Sequence, residues 1–227
     1  MSAYRIRRAA PDDEPALSRI CLLTGDAGVS AEPLFSRPEL IGLVYAVPYL
    51  HLSNSFAFVL CTTDPDPSSL DLPGASAEEE GEERVVGYIL GTFDTRAYEA
   101  ELEQTWWPAL REKYPIPTDT THAYTPEDIK YISKFARPDT TNPDIAATYR
   151  AHMHIDLLPE AQRKGWGRRM IAVAADEVRK NGGRYLFLGI DPRNQAAAAF
   201  YLKVGFTRME GHDNYFVSDT HTWEQRA

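Results

Sequence analysis

The spacing of apolar positions changes repeatedly along this chain, and each change marks an element. Tyr4 to Ala9 reads as a first strand. Pro11-Asp12-Asp13-Glu14 then has the form of a helix start, with acids in the first turn. Leu17, Ile20 and Cys21 fall on one helical face behind it. A glycine-bearing loop, Thr24 to Gly28, separates this helix from a second helical region over about Pro38 to Tyr45. Phe56 to Thr62 and Val85 to Phe93 read as partner strands of an antiparallel hairpin. Between them, 64–84 is rich in Pro, Ser, Gly and Glu, which predicts a solvated, mobile acidic loop.

The stretch 95–149 is long for a connection between strands. Leu102, Trp106 and Leu110 stand at helical spacing within it, interrupted by prolines, and Trp106 and Trp107 are expected to serve packing. His152 to Leu158 follows as the central strand. Alternation puts His152, His154 and Asp156 on one face, and Met153, Ile155 and Leu157 on the other. An Ala-rich helical run (Arg168 to Lys180), a short buried strand (Tyr185 to Ile190), a helix (Asn194 to Val204) and two closing strands (Thr207 to Met209, Tyr215 to Ser218) complete the order. Mixed strands and helices with antiparallel hairpins point to an α/β (α+β) class.

Between the central strand and its helix lies Gln162-Arg163-Lys164-Gly165-Trp166-Gly167. Strand, glycine turn and helix start form the arrangement with which proteins hold phosphate, because first-turn N–H groups and the positive dipole end face the turn. Arg163, Lys164, Arg168 and Arg169 add positive charge. Three readings compete. A dinucleotide fingerprint needs a third glycine, but Arg169 and Met170 occupy that region. A nucleoside-triphosphate loop needs Gly-Lys-Ser or Gly-Lys-Thr, which is absent. The third reading is an acyl-coenzyme A.

Asn194, Ala197, Tyr201 and Gly205-Phe206 stand downstream in that order. Together with the glycine turn they resemble the cofactor site of the GNAT superfamily of N-acetyltransferases. Tyr4-Arg5-Ile6-Arg7-Arg8, Thr24-Gly25-Asp26-Ala27-Gly28, Val86-Gly87-Tyr88-Ile89-Leu90-Gly91-Thr92 and Trp106-Trp107-Pro108 extend the likeness. They are similar to the acetyltransferase-like C-terminal domain of O-GlcNAc hydrolases and its stand-alone bacterial relatives. The resemblance implies a GNAT fold over 1–227 as a single domain. Its mixed, mostly antiparallel twisted sheet is flanked by helices, with 95–149 inserted between the third and fourth strands beside the acceptor cleft.

The same resemblance implies acetyl-CoA as cosubstrate and an amine as acceptor. The backbone of Ile155, Asp156 and Leu157 is expected along the pantetheine arm. Gln162, Arg163, Lys164, Gly165, Trp166, Gly167 and Arg168 are expected around the pyrophosphate, with Asn194 at the opening of the strand pair. Tyr201 matches the family's general acid at the thiol. Many GNAT enzymes carry a Glu at the position of Gly189, so the base must come from elsewhere. Asp156, His154, His152 and Asp26 are the candidates. The alternative is a pseudo-acetyltransferase that binds acetyl-CoA or a protein partner without robust turnover.

Composition narrows the classes further. The 227 residues are 43% hydrophobic and 25% charged, as for one globular domain. A net charge of −9 argues against bulk nucleic-acid binding. No run approaches the ~18 apolar residues of a membrane span. The first ten residues lack the apolar core of a signal peptide. Cys21 and Cys61 are expected as buried thiols, and no zinc-like cluster is present in the sequence. A cytoplasmic location is expected, and a nuclear one is compatible.

Overall fold

A computed structural model describes residues 4–64, 83–117 and 123–223. The acidic loop expected to be mobile lies almost wholly outside them. Seven strands form one sheet in the order β1 (Tyr4–Arg8), β2 (Ser55–Thr62), β3 (Arg84–Thr92), β4 (Ala151–Leu157), β5 (Tyr185–Gly189), β7 (His212–Asp219) and β6 (Thr207–Met209). Every neighbouring pair is antiparallel except β4 and β5.

Each face of the sheet carries its own core. On one face lie α1 (Glu14–Thr24), α2 (Glu39–Tyr45), the short α3 (Pro48–His51) and most of the 95–149 segment. Leu17, Ile20, Cys21 and Thr24 of α1 are buried at i, i+3, i+4 and i+7, the stripe that one helix face presents. On the other face lies α8 (Trp166–Lys180), which buries Met170, Ile171, Ala174, Ala175 and Val178, followed by α9 (Gln195–Val204). Strands feed both cores by alternation: Ala57, Val59 and Cys61 point to the first, Phe56 and Leu60 to the second. The register slips between Leu60 and Cys61, so that Val86 has no partner of its own in the β2–β3 pairing. Cys21 and Cys61 are buried free thiols.

The 95–149 segment is largely helical. α4 (Thr95–Glu101) runs through a π-turn (Leu102–Trp106) into α5 (Trp107–Lys113), and α6 (Pro126–Ala136) and α7 (Pro143–Thr148) follow. Asp94 caps α4 by accepting from the amides of Arg96 and Ala97. Thr125 and Asp128 close a capping box at α6, worth about 1 kcal/mol. Asp128 also accepts from the amides of Ser36 and Arg37, tying α6 to the approach to α2. Phe135 is fully buried and packs against Trp107 and Tyr114. As expected, the tryptophans pack: Trp107 is buried, and Trp106 donates to the Leu43 carbonyl at 3.0 Å and stacks on His51. The insertion is therefore part of the first core and walls the site described next.

Candidate functional site

The parallel pair at the centre of the sheet is incomplete. β4 and β5 pair only through Ala151 with Leu186 and His152 with Phe187. Along its other edge β4 pairs with β3 as far as Leu157. From Met153 onward the β5-facing edge of β4 therefore offers backbone groups to no strand among the described residues. Such an edge is a template for an extended ligand that carries its own amide groups.

At the far end of β4 the chain turns into α8. Gln162 Nε2 donates to the Leu157 carbonyl at 2.8 Å, so this side chain fastens the turn to the strand. Arg163 has φ +58° and Gly165 φ +85°, and the left-handed turn at Gly165 is one that a β-branched residue would strain. Gly165 caps α8, so the helix starts at Trp166, two residues before the expected start. Arg169 makes the first helical bond, to Gly165 O at 3.3 Å, which leaves the amides of Trp166 and Gly167 without a helical acceptor. Nothing lies within 4 Å of the position a Gly165 Cβ would take. Together these groups make a positive, donor-lined turn suited to an anion.

Packing fixes two positions of this turn. Gly167 does not leave open space: a Cβ there would meet Phe200 Cζ of α9 at 3.0 Å, so its smallness serves helix packing. The Trp166 ring is buried and stacks on Tyr4 at 5.5 Å, so only its backbone can serve the turn. Lys164 reaches the Tyr4 hydroxyl at 3.2 Å, and Arg163 is exposed.

Two cavities meet where the sheet opens. The first, of about 480 Å³, has Thr24, Asp26, Ile155, Asp156, Asn194 and Tyr201 among its walls. The second, of about 460 Å³, lies under the insertion, with Tyr98, Trp107, His152 and Tyr215 among its walls. Tyr45, Lys134, Met153, His154, Gly189 and Ile190 border both. His154 thus stands at the junction, and the structure brings it together with Asp156 and Tyr201, as the sequence suggested.

Asn194 Oδ1 accepts from Ala197 N at 3.0 Å and caps α9. It also packs on Gly28, whose φ is +94° and whose missing Cβ leaves room for the Asn194 amide. Asp26 pairs with Arg193 at 2.7 Å, so it latches the α1 loop to the α9 start and is no free base. Tyr201 is 7% exposed. Burial and the nearby Asp156 charge push its hydroxyl above the ordinary phenol range. Burial likewise raises the Asp156 carboxyl, although the Tyr88 hydroxyl donates to it at 2.5 Å.

The two histidines of β4 line cavities and are only half-buried by surface area, yet they lie deep, and depth opposes charge. Burial lowers His154 to about 4, and burial with the neighbouring His154 lowers His152 to about 3. Both are neutral near pH 7. The His152 tautomer follows from its partners. Thr95 Oγ1 lies 2.7 Å from the Arg150 carbonyl oxygen, and only the Thr95 proton can lie between two such oxygens. Thr95 must then accept from His152 Nδ1–H at 2.8 Å, and Tyr49 donates to His152 Nε2 at 2.7 Å. His152 is thereby committed to structure. Among the described residues the His154 side chain makes no hydrogen bond, and its ring packs near those of Tyr45, Tyr49 and His152.

At Gly189 a Cβ would meet Tyr215 Cε1 at 3.2 Å, so an acidic side chain there would crowd that ring. His221, late in the sequence, reaches Asp219 at the surface and joins neither cavity. The aromatic walls at Tyr45, Tyr49, Tyr98 and Tyr215 were not singled out from the sequence. They lie on four separate elements, and no local spacing relates them.

Residues 131–206 match the acetyltransferase (GNAT) family model. The crystal structure of SsHAT superposes with a TM-score of 0.76 at 30% identity, covering 96% of this chain and 98% of that one. The chain belongs to the GNAT acetyltransferase family. The unpaired β4 edge and the donor-lined turn are the features of this GNAT chain that suit a ligand with an extended arm and an anionic end. Protein O-GlcNAcase of Rattus norvegicus and of Mus musculus are each 26% identical to it over 211 residues, 92% of this chain. The chain spans about a fifth (21%) of the length of those curated relatives. The crystal structure of AtaTR bound with AcCoA shares the fold, with a TM-score of 0.50 at 17% identity. Among the described residues no helix is long and apolar enough to cross a membrane, and no group of three His, Cys, Asp or Glu could hold a metal ion.

Proposed function

We propose that this GNAT chain is an acetyl-CoA-dependent N-acetyltransferase that acts on an amine, with 1–227 forming one such domain. The observation that carries the reading is the parting of β4 from β5, with an unpaired strand edge leading to a donor-lined turn. Acetyl-CoA supplies a thioester acetyl group: a C–N bond forms as the C–S bond breaks, the nitrogen loses one proton and the sulfur gains one.

In this reading the amides before Arg169, with the charges of Arg163, Lys164 and Arg168, hold the pyrophosphate. The free edge at Ile155, Asp156 and Leu157 binds the pantetheine amides, and Asn194 keeps the α1 loop and α9 together at the opening. Tyr201 is the proton donor at sulfur. Its raised pKa keeps it protonated until charge builds on the leaving group, and that charge then strengthens the hydrogen bond it gives. His154 accepts the amine proton. Its imidazole is neutral, has no hydrogen bond among the described residues, and stands at the meeting point of the cavities. Asp156 holds Tyr88 and, beside Tyr201, favours return of the proton to the phenol.

A binder without turnover is the second reading, favoured by Gly189 and by the weak basicity of a histidine near 4. One pair of measurements separates the two. Calorimetry with acetyl-CoA should show binding, and release of free thiol should accelerate with an amine panel. Binding without amine-stimulated release supports the binder, and absence of binding removes both.

A further inference from the structure

β1 lies three strands from β4, yet one of its faces grips the helix that follows β4. The two meet because α8 packs across β4, β3 and β2. Alternation puts Tyr4, Ile6 and Arg8 on the α8 side of the sheet. Ile6 packs against the second core, and Arg8 Nη2 donates to Glu177 Oε1 in the C-terminal half of α8 at 2.5 Å. Tyr4 takes the other end of the helix. Its ring stacks on that of Trp166, the first residue of α8, with centroids 5.5 Å apart and planes 26° from parallel.

The Tyr4 hydroxyl stands between two parts of the glycine turn. It donates to the Glu160 carbonyl at 3.3 Å and accepts from Lys164 Nζ at 3.2 Å. A phenol has one proton to give and lone pairs to receive with, so the two bonds form together. Arg84 of β3 holds the Glu160 carboxylate at 2.9 Å. Glu160 and Lys164 bracket Arg163, whose φ of +58° persists only where neighbours hold it. Arg169 lies 4.6 Å from the Trp166 ring centroid, so the ring that Tyr4 supports carries a second cation of the turn. A free lysine loses rotamer freedom when it grips a ligand. One already hydrogen-bonded loses less, and its ammonium keeps two further N–H groups to offer.

Resting on the acetyltransferase reading above, we infer that Tyr4 is a positioning residue for the coenzyme: from the edge of the sheet it presets the turn and the Lys164 ammonium that receive the pyrophosphate. Its ring fixes Trp166 and, with it, the first amide of α8. Its hydroxyl fixes the Glu160 carbonyl and Lys164. The two shares are separable, because phenylalanine keeps the ring and removes only the hydroxyl. Tyr4 and Lys164 stand 160 positions apart in the sequence, so the pairing exists only in the folded chain.

The test is calorimetric titration of coenzyme A into the full chain and its variants. Tyr4→Phe should keep the fold, read as an unchanged circular dichroism spectrum, and weaken coenzyme binding about fivefold. Tyr4→Leu removes the ring as well and should weaken it about twentyfold. Lys164→Met supplies the readout that a merely structural role would not move. In that background Tyr4→Phe should cost no more than about twofold, since only the Glu160 bond is left to lose. An unchanged affinity in Tyr4→Phe, or the same loss with and without Lys164, would overturn the inference. Equal losses in Tyr4→Phe and Tyr4→Leu would overturn the share given to the ring. Failure of the unaltered chain to bind coenzyme A would overturn the acetyltransferase reading and this inference together, whereas unchanged binding in the variants leaves that reading standing.

Discussion

The two cavities on either side of His154 are built by opposite means. The first is framed by main chain: an unpaired edge of β4, the amides of the α8 turn, and the capped start of α9. The second is framed by side chains, with Trp107 and Tyr98 of the insertion and Tyr45, Tyr49 and Tyr215 from other elements among its walls. A main-chain site suits a ligand with an invariant anionic end and amide arm, because backbone groups tolerate many side chains around them. A side-chain site suits a ligand that differs from relative to relative, because its shape changes whenever a wall residue changes. In this chain the same strand serves both, offering its backbone edge to one and its histidine face to the other.

That contrast can be broken most directly at Tyr201, on the main-chain side. Tyr201→Phe keeps the ring in its packed position against Phe206 and Phe216 and removes only the hydroxyl. Turnover is expected to fall by about 10²-fold or somewhat more, with coenzyme affinity nearly unchanged. Full activity would assign the proton to solvent, and joint loss of binding would make the hydroxyl an anchor.

The glycine turn gives the next largest effect. Gly165→Val forces a β-branched residue into φ +85°, so the turn relaxes and its amides lose their common aim. Acetyl-CoA affinity should fall about 30-fold, corresponding to about 2 kcal/mol of strain or lost contact. Gly167→Ala is the control. Its Cβ meets the ring end of half-buried Phe200, which can give way, and Leu157 Cδ1 at an ordinary 3.8 Å, so a change below about threefold is expected. Equal losses in the two variants would show that space, and not backbone conformation, sets the turn.

A smaller, graded effect tests the side-chain cavity through pH. His152 and His154 have folded pKa values of about 3 and about 4, below the ordinary value of 6.5. The unfolded chain therefore binds protons first as pH falls. Stability from this source is complete above pH 6.5, declines from there towards pH 4, and levels off once both folded values are passed. Each histidine contributes a slope of about 1.4 kcal/mol per pH unit within that window. His152→Gln should roughly halve the histidine-dependent slope in urea titrations between pH 6 and 4.5. An unaltered slope would mean that His152 is protonated in the folded state.

The cofactor side was legible from the sequence because its pieces are local. The glycine turn, the following helix and the Asn194-to-Phe206 block each occupy one short stretch, and strand alternation placed the histidine face of β4 correctly. Packing partners were not legible there. That Gly167 lies against Phe200 and Trp166 against Tyr4 depends on α9 and β1, which are distant in sequence.

What the sequence determined by itself is the order of elements, their faces and the glycine turn before α8. These depend on periodicity, on capping and on the left-handed freedom of glycine, all of which act over a few residues. What the tertiary structure decided is the second cavity. Tyr45, Tyr49, Tyr98 and Tyr215 converge only when the insertion folds across the sheet, and the neutrality of His152 and His154 exists only once that covering removes water. Burial and convergence belong to the folded chain, and no spacing along the sequence encodes them.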